Sequence, residues 1–211
     1  LFIFYGFLVV SLRTVTMVLE GLFAGWELPL LHTPVGHAYL FSKDVFELLV
    51  LVGLVFAVWR RGIQRKERVI QSFGAWLVIG LIAILMLTDL GSEGARIAAG
   101  DIEGSYLPIS SLVAAALAGI GGSSLQALYG INWWLHLITL FIFANELPYS
   151  KHFHVYTSLF NSFFAKLEPP GRLPAMDLEN IAEDSRFGVA TVTDFTWKQR
   201  LDMFTCTECG R

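Results

Sequence analysis

Hydrophobic residues are grouped into four blocks along the chain, and polar stretches separate each block from the next. The blocks cover residues 1–23, 45–59, 73–88 and 124–147. The second block extends upstream when the mixed stretch from residue 37 is included. About 20 mostly apolar residues in a helix are needed to cross a bilayer. The pattern therefore predicts membrane-spanning helices.

Two further stretches complete this organisation. Residues 110–120 are short and rich in small side chains, which predicts a half-helix at one membrane face that ends at Gly121 and Gly122. From residue 166 the chain turns polar and contains several prolines. We therefore predict an all-α fold, with a membrane bundle of four to five spanning helices in residues 1–165. Residues 166–211 are predicted to form a cytoplasmic linker that leads into a further domain.

The composition supports a membrane protein. The chain is 55% hydrophobic and 16% charged, whereas soluble domains are about 45–50% apolar and about 25% charged. The net charge of −3 argues against a nucleic-acid partner. The first residue is Leu and already lies inside an apolar block, so we expect the amino end to be trimmed.

The distribution of charges predicts an orientation. Residues 60–68 contain five arginines and lysines, and short basic loops lie on the cytoplasmic side. The stretches 24–44 and 89–109 carry mainly acids and are predicted to be outer loops, which would place Asp44, Asp89 and Glu93 outside the bilayer. The number of spans then places the carboxyl end in the cytoplasm, in a multi-pass protein of the inner (plasma) membrane.

Histidines in and near the last apolar block are candidate cofactor ligands. His136 lies near the middle of this block, where an ionisable side chain marks a possible functional site. His154 follows eighteen residues later, so a continuous helix would place both rings on one face, about 27 Å apart. Such a face suits two haems, one in each leaflet. The alternatives are a His136 hydrogen-bonded to a neighbouring helix and a solvated pair of His152 and His154.

Other polar residues could assist a cofactor. Arg13 lies within the first block and needs an anionic partner, for which a haem propionate and Glu20 are the candidates. The outer stretch contributes His32 and His37, and His37 could reach a haem in the outer leaflet. Both histidines are equally compatible with a loop exposed to water.

Cys206 and Cys209 are the only cysteines, and they form a C-x-x-C pair at the end of the chain. Two thiolates are too few for an iron–sulfur cluster. The spacing fits a redox pair or half of a zinc site. It also fits a larger metal site that is interrupted by the end of the chain.

Two segments resemble known families. The stretch "LPYSKHFHV" (147–155) resembles the last-helix motif of nitrate reductase gamma-subunit-like haem b proteins, in which the matching positions are the haem ligands His136 and His154. The stretch "TDFTWKQRLDMFTCTECGR" (193–211) resembles the entry to the iron–sulfur half of membrane-bound proteins related to heterodisulfide reductase. That resemblance implies that Cys206 and Cys209 begin a ferredoxin-like [4Fe–4S] domain, truncated one residue before the third cysteine.

The resemblance implies an oxidoreductase that passes electrons between cytoplasmic [4Fe–4S] clusters and the quinone pool through one or two b-type haems. A soluble donor such as electron-transfer flavoprotein, quinone and membrane lipid are the implied partners. No catalytic residue is assigned. The first apolar block has no histidine to face those of the last block, which favours His37 or His32 as a ligand, or a single haem. Two other functions stay open: a transporter, and a structural anchor whose cysteines bind zinc or form a redox pair.

Overall fold

The computed structural model describes residues 2–23, 28–64, 71–167 and 188–206, except for the side chains of Glu20 and Lys151. In these ranges the chain is helical and contains no strand, so the predicted all-α class is confirmed. The α-helices are α1 (Phe2–Leu22), α2 (Pro34–Gly62), α3 (Phe73–Ala99), α4 (Pro108–Ala116), α5 (Gly122–Glu146), α6 (His154–Phe163) and α7 (Trp197–Phe204). Short 3₁₀ turns lie at Pro29–His32, Leu147–Tyr149, Lys151–Phe153 and Val192–Asp194.

Three segments are long and apolar enough to cross a membrane: Phe2–Leu19, Phe73–Ala99 and Gly122–Tyr149. They correspond to the first, third and fourth predicted spans. The second predicted span lies within α2, which is 29 residues long but carries Lys43, Asp44 and Glu47 in its first half and arginines at its end. The use of α2 as a fourth span therefore stays a prediction.

Local sequence signals explain where the long helices begin and end. Thr33 caps α2 by accepting a hydrogen bond from the Gly36 backbone N–H at 3.3 Å, and a proline occupies the first helical position. Ser72 caps α3 in the same way. Gly100 ends α3 in the left-handed conformation, at a φ of 82°, which glycine adopts without the steric cost that a Cβ would bring.

The predicted half-helix is α4, which spans only nine residues. After it the chain turns through Gly119, at a φ of 90°, and α5 begins at Gly122. The prediction of a short helix is therefore confirmed, but its bounds differ: the helix starts at Pro108 and ends at Ala116 with Leu117 as its cap, and Gly122 begins α5 instead of ending α4.

The predicted continuous helix from His136 to His154 is wrong. Helix α5 ends at Glu146, and two 3₁₀ turns follow before α6 begins at His154. The physical reason is Pro148, which has no backbone N–H to donate and clashes with the preceding turn of a helix. The expected alignment of the two histidine rings on one helical face therefore has no structural basis.

The predicted location of three acids in outer loops is also wrong. Asp44 lies in α2, Asp89 and Glu93 lie in α3, and all three are buried. The helices extend well beyond the apolar blocks because these charges are paired inside the protein. Charged residues lower the hydropathy of a segment even when they are paired inside the protein. The apolar block in the sequence is therefore shorter than the helix that contains it.

The chain divides into two compact units, residues 1–143 and 144–211. In the first unit the apolar core is formed by Val10, Val50, Leu54, Leu85 and Met86. Large apolar side chains also cover the outer surface of this unit: Phe4 is 61% exposed and Phe141 is 58% exposed. Lys43 and Glu47, by contrast, are fully buried. This inverted distribution suits a surface surrounded by lipid, with polar groups confined to the interior.

The second unit contains α6 and α7, which contact each other through aromatic rings. Phe153 packs edge-on against Phe204, and Phe164 packs edge-on against Trp197. Lys198 on α7 donates to the Asn161 side chain of α6 at 2.6 Å. Helix α7 begins with a capping box formed by Thr196 and Gln199.

We predict that Gly94→Ala destabilises the first unit, because α3 and α4 meet at this glycine. A Cβ at Gly94 would lie 2.6 Å from Cγ1 and 2.8 Å from Cβ of Val113, a stiff β-branched side chain. Overpacking of this kind costs about 1–3 kcal/mol. Thermal unfolding monitored by circular dichroism measures the change.

The matched control is Gly80→Ala in the same helix, where nothing lies within 4 Å of the new Cβ. It should be neutral or stabilise the helix by up to about 1 kcal/mol. Equal effects of the two substitutions would contradict the packing of α3 against α4.

Candidate functional site

A buried group of charged side chains joins the first four helices of the first unit. Helix α2 contributes Lys43 and Glu47, which are four residues apart and therefore share a face. Helix α3 contributes Asp89 and Glu93 with the same spacing. Together with Asp44 and Arg13 we call these residues the ionic cluster.

Lys43 is the centre of the ionic cluster. Its ammonium nitrogen Nζ lies 2.8 Å from Asp89 Oδ2, 2.8 Å from Glu93 Oε1 and 3.0 Å from Glu47 Oε1. The contact with Asp89 is a hydrogen bond, whereas the contact with Glu47 is at ion-pair distance but outside hydrogen-bonding geometry. Since the Lys43 side chain is fully buried, these contacts replace the whole hydration shell of its charge.

Asp44 connects α2 to α4. Leu107, the residue before α4, offers no side-chain cap, and the Asp44 carboxylate accepts from the backbone N–H groups of Ile109 and Ser110 instead. The Ser110 hydroxyl donates to Asp44 Oδ1 at 2.6 Å and also lies 3.2 Å from Glu93 Oε2. A carboxylate at a helix N-terminus is stabilised by the partial positive charge there.

Arg13 connects α1 to the same cluster. Its Nε atom lies 3.9 Å from Asp89 Oδ1, and its Nη1 atom lies 3.3 Å from the Thr16 hydroxyl. A carboxylate of the protein thus lies beside Arg13, for which a haem propionate and Glu20 were the predicted partners. The Glu20 side chain, the other predicted partner, lies outside the described part of the structure.

His136 lies beside the ionic cluster and is 3% exposed. Its Nδ1 is 3.0 Å from the hydroxyl oxygen of Thr88, whose single proton is donated to the backbone carbonyls of Ile84, at 2.7 Å, and Leu85. Thr88 therefore joins His136 to the backbone of α3. This hydrogen bond occupies Nδ1 and leaves Nε2 as the ring nitrogen for any further ligand.

The outer histidines lie near the start of α2. The ring of His37 stacks on Tyr106, with centroids 3.8 Å apart and planes 12° apart. His32 lies in the 3₁₀ turn before α2. His37 thus has one face covered by an aromatic ring.

The second unit holds the remaining candidate ligands. His154 is the first residue of α6 and is half-buried, and its ring centroid lies 6.1 Å from that of His152. Cys206 is exposed and follows α7, where its backbone N–H donates to Met203. Cys209 lies outside the described residues.

The ionic cluster is the part of the site that the sequence analysis missed. Two signals were available: Lys43 with Glu47 and Asp89 with Glu93, each pair at helical i, i+4 spacing next to an apolar block. The pairing of Lys43 with Asp89 spans 46 residues and depends on packing, so it leaves no local signal.

The chain is similar along its length to two curated proteins. It is 34% identical over 209 residues to the probable iron–sulfur-binding oxidoreductase FadF of Bacillus subtilis, covering 99% of this chain and 29% of that protein. It is 29% identical over 222 residues to the EtfAB:quinone oxidoreductase of Syntrophomonas wolfei, covering 100% of this chain and 30% of that protein. No protein-family model matches, and no solved structure matches.

These similarities confirm the predicted relationship to iron–sulfur oxidoreductases of the electron-transfer flavoprotein:quinone reductase type. The chain spans a little under one third of the length of the curated relatives it matches.

We predict that Lys43→Met strongly destabilises the first unit, because it leaves three carboxyl groups without their shared cation. Removal of one partner from a buried ion pair costs about 3–5 kcal/mol. The loss should appear as a large decrease in the thermal unfolding temperature of purified protein in detergent.

The matched control is Arg96→Met, which removes a cation from the last turn of α3. Arg96 lies over the ring of Tyr129, 5.8 Å from its centroid, a contact worth about 0.5–1 kcal/mol when exposed. A Lys43→Met protein as stable as the Arg96→Met protein would show that the cluster does not hold the helices together.

Proposed function

We propose that this chain, a relative of quinone-linked iron–sulfur oxidoreductases, is the membrane portion of such an enzyme. In this proposal electrons pass between cytoplasmic [4Fe–4S] clusters and the quinone pool, with b-type haem as the intermediate carrier. The supporting observation is the order of the parts. Helices of membrane-spanning length and composition precede a C-x-x-C segment, in a chain similar along its length to an EtfAB:quinone oxidoreductase.

The iron–sulfur assignment is supported by the position of the first thiol. Cys206 is exposed after the end of α7, so the packed helices leave its sulfur accessible to iron. The proposal assigns Cys206 and Cys209 to the first cluster, and further thiolates must come from chain beyond the C-x-x-C pair. A [4Fe–4S] cluster supplies one-electron transfer, and the two cysteines would anchor it.

The histidines fit a haem to different degrees. His154 is half-buried at the start of α6 and occupies the ligand position of the haem b proteins that this segment resembles. His136 uses Nδ1 in its hydrogen bond with Thr88, so Nε2 is its candidate metal ligand, but the protein already covers its ring. We therefore propose His154 as the principal axial ligand. His136 and His37 are the candidate ligands of a second haem.

The proposed partners follow from the same relationship. The name of one relative includes EtfAB and quinone, and we propose electron-transfer flavoprotein and quinone as the partners of this protein. The basic stretch after α2, including Arg60 and Arg61, supports a cytoplasmic location for that end of the helix. With α2 as a fourth span, the carboxyl end is then also cytoplasmic, where it would receive electrons from a soluble flavoprotein.

We predict that His154→Ala removes the low-spin b-type haem spectrum, wholly or in half, because it deletes an axial ligand. A dithionite-reduced minus oxidised spectrum of the purified protein measures the loss. His152→Ala is the matched control and should leave the spectrum unchanged. Unchanged haem content in the His154→Ala protein would reject His154 as a ligand.

We predict that Cys206→Ser in the full-length protein lowers the electron paramagnetic resonance signal of a reduced [4Fe–4S] cluster, because one thiolate ligand is lost. Thr205→Ser is the neighbouring control, since serine retains the hydroxyl group that bonds the Leu201 carbonyl. An undiminished cluster signal in the Cys206→Ser protein would show that Cys206 is not a ligand.

A further inference from the structure

The ionic cluster carries more acids than bases. Four carboxyl groups, those of Asp44, Glu47, Asp89 and Glu93, face two cations, Lys43 and Arg13. If every one of these carboxyl groups were ionised, the described part of the cluster would carry two more negative than positive charges. Isolated charges in a low-dielectric interior are too costly to persist, so protons or bound cations must neutralise the excess.

The carboxyl groups differ in how well their charges are compensated. Asp44 receives two backbone N–H donors and a hydroxyl donor at the N-terminus of α4. Glu93 faces Lys43 and the hydroxyl group of Ser110. Asp89 lies against both Lys43 and Arg13. Among the described residues, the compensating contact of Glu47 is the 3.0 Å ion pair with Lys43, which makes it the least compensated of the four acids.

Buried oxygens without a hydrogen-bond donor also single out Glu47. Among the described residues, no donor is within hydrogen-bonding geometry of either carboxyl oxygen of Glu47, or of Asp89 Oδ1. All three atoms are buried, and the two carboxyl groups lie against the same Lys43 ammonium group, at 3.0 Å for Glu47 and 2.8 Å for Asp89. Two neighbouring carboxyl groups can be joined by a hydrogen bond only when one of them carries a proton. A single proton on Glu47 would supply the donor that these oxygens lack.

We infer that Glu47 and Asp89 form a buried acid pair that shares one exchangeable proton, and that this pair is a proton-carrying site of the membrane domain. In this pair Glu47 is the donor and Asp89, held by Lys43 and Arg13, is the acceptor. When Glu47 gives up the proton, Lys43 at 3.0 Å stabilises the carboxylate that forms.

The role of this proton rests on the proposed function. Reduction of a quinone to a quinol takes up two electrons, which the iron–sulfur and haem carriers would deliver, and two protons. Those protons must come from groups within the protein when the quinone is surrounded by lipid. The acid pair is a source of one such proton, and Glu47 regains it from water before the next turnover.

The neighbouring groups define the conditions of a test. The titratable and charged groups around Glu47 come from every helix packed on the cluster: Arg13 from α1; Tyr39, Lys43 and Asp44 from α2; Asp89 and Glu93 from α3; and His136 from α5. Measurements across a range of pH therefore need a variant that changes Glu47 alone. Glu47→Gln retains the shape of the side chain and an N–H donor for Asp89.

The experiment is infrared spectroscopy of the full-length protein in lipid, in light and heavy water. A protonated carboxyl group gives a carbonyl band that is separate from the amide bands and shifts in heavy water. We expect this band in the unmodified protein and its loss in Glu47→Gln. The control Glu103→Gln, at an exposed acid of the first unit, should retain the band. A band that is absent from the unmodified protein, or unchanged in Glu47→Gln, would overturn the inference.

A second arm tests a metal cation as the neutralising ion, because oxygens of Asp44, Glu47 and Glu93 lie within 4.8 Å of one another. Thermal unfolding in sodium, calcium and choline chlorides of equal ionic strength should give the same midpoint. Stabilisation by sodium or calcium that is lost in Glu47→Gln would overturn the inference in favour of a cation site.

A third arm separates this inference from the proposed function. The static infrared band requires neither haem nor quinone, so it can be present even if the proposed electron transfer is absent. In reduced-minus-oxidised infrared spectra with quinone, the Glu47 band should change, and the Glu47→Gln protein should lack that change. A band that is present but insensitive to quinone reduction would overturn the role of the pair in quinone chemistry.

Discussion

The requirement for charge neutrality inside the helical bundle governs the first unit. Lys43 places one ammonium group between carboxyl groups from two helices, with all three contacts at 3.0 Å or less. Asp44 extends the same network to α4, and Arg13 extends it to α1. The outer surface of this unit is covered by large apolar side chains, so hydrophobicity alone does not decide which faces of the helices pack together. The ionic contacts supply that distinction, and they determine which helix faces meet.

The same network connects the polar residues that could serve electron transfer. Thr88 directly precedes Asp89 on α3 and fixes the ring of His136. The orientation of this histidine therefore depends on the position of α3, which the ionic cluster holds. A redox cofactor or a quinone in this domain would lie in a bundle that already holds several buried charged groups, and the potential of a buried redox centre responds to such nearby charges.

The sequence predicted the parts of this protein that depend on local signals. The apolar blocks identified three long helices, the stretch rich in small residues identified the short helix α4, and the C-x-x-C pair with its preceding segment indicated an iron–sulfur relative. The misplaced acids have one cause, which is non-local packing. Asp89 was placed in a loop because hydropathy cannot register a lysine 46 residues away that neutralises it. The break after Glu146 has a local cause, because Pro148 interrupts the helix that was expected to continue and the chain there forms two 3₁₀ turns.

If α2 is a membrane span, as proposed above, its buried charges and its capping of α4 have a consequence for biogenesis. Helix α2 entering lipid alone would expose Lys43, Asp44 and Glu47, each of which opposes insertion by roughly 2–4 kcal/mol near the bilayer centre. Its counter-charges are on α3, which emerges later from the ribosome. We expect the translocon to retain α2 until α3 has been synthesised, so that the two helices enter the membrane together as a hairpin. Helix α4 would then pack against them, with its N-terminal backbone N–H groups bonded to the Asp44 carboxylate.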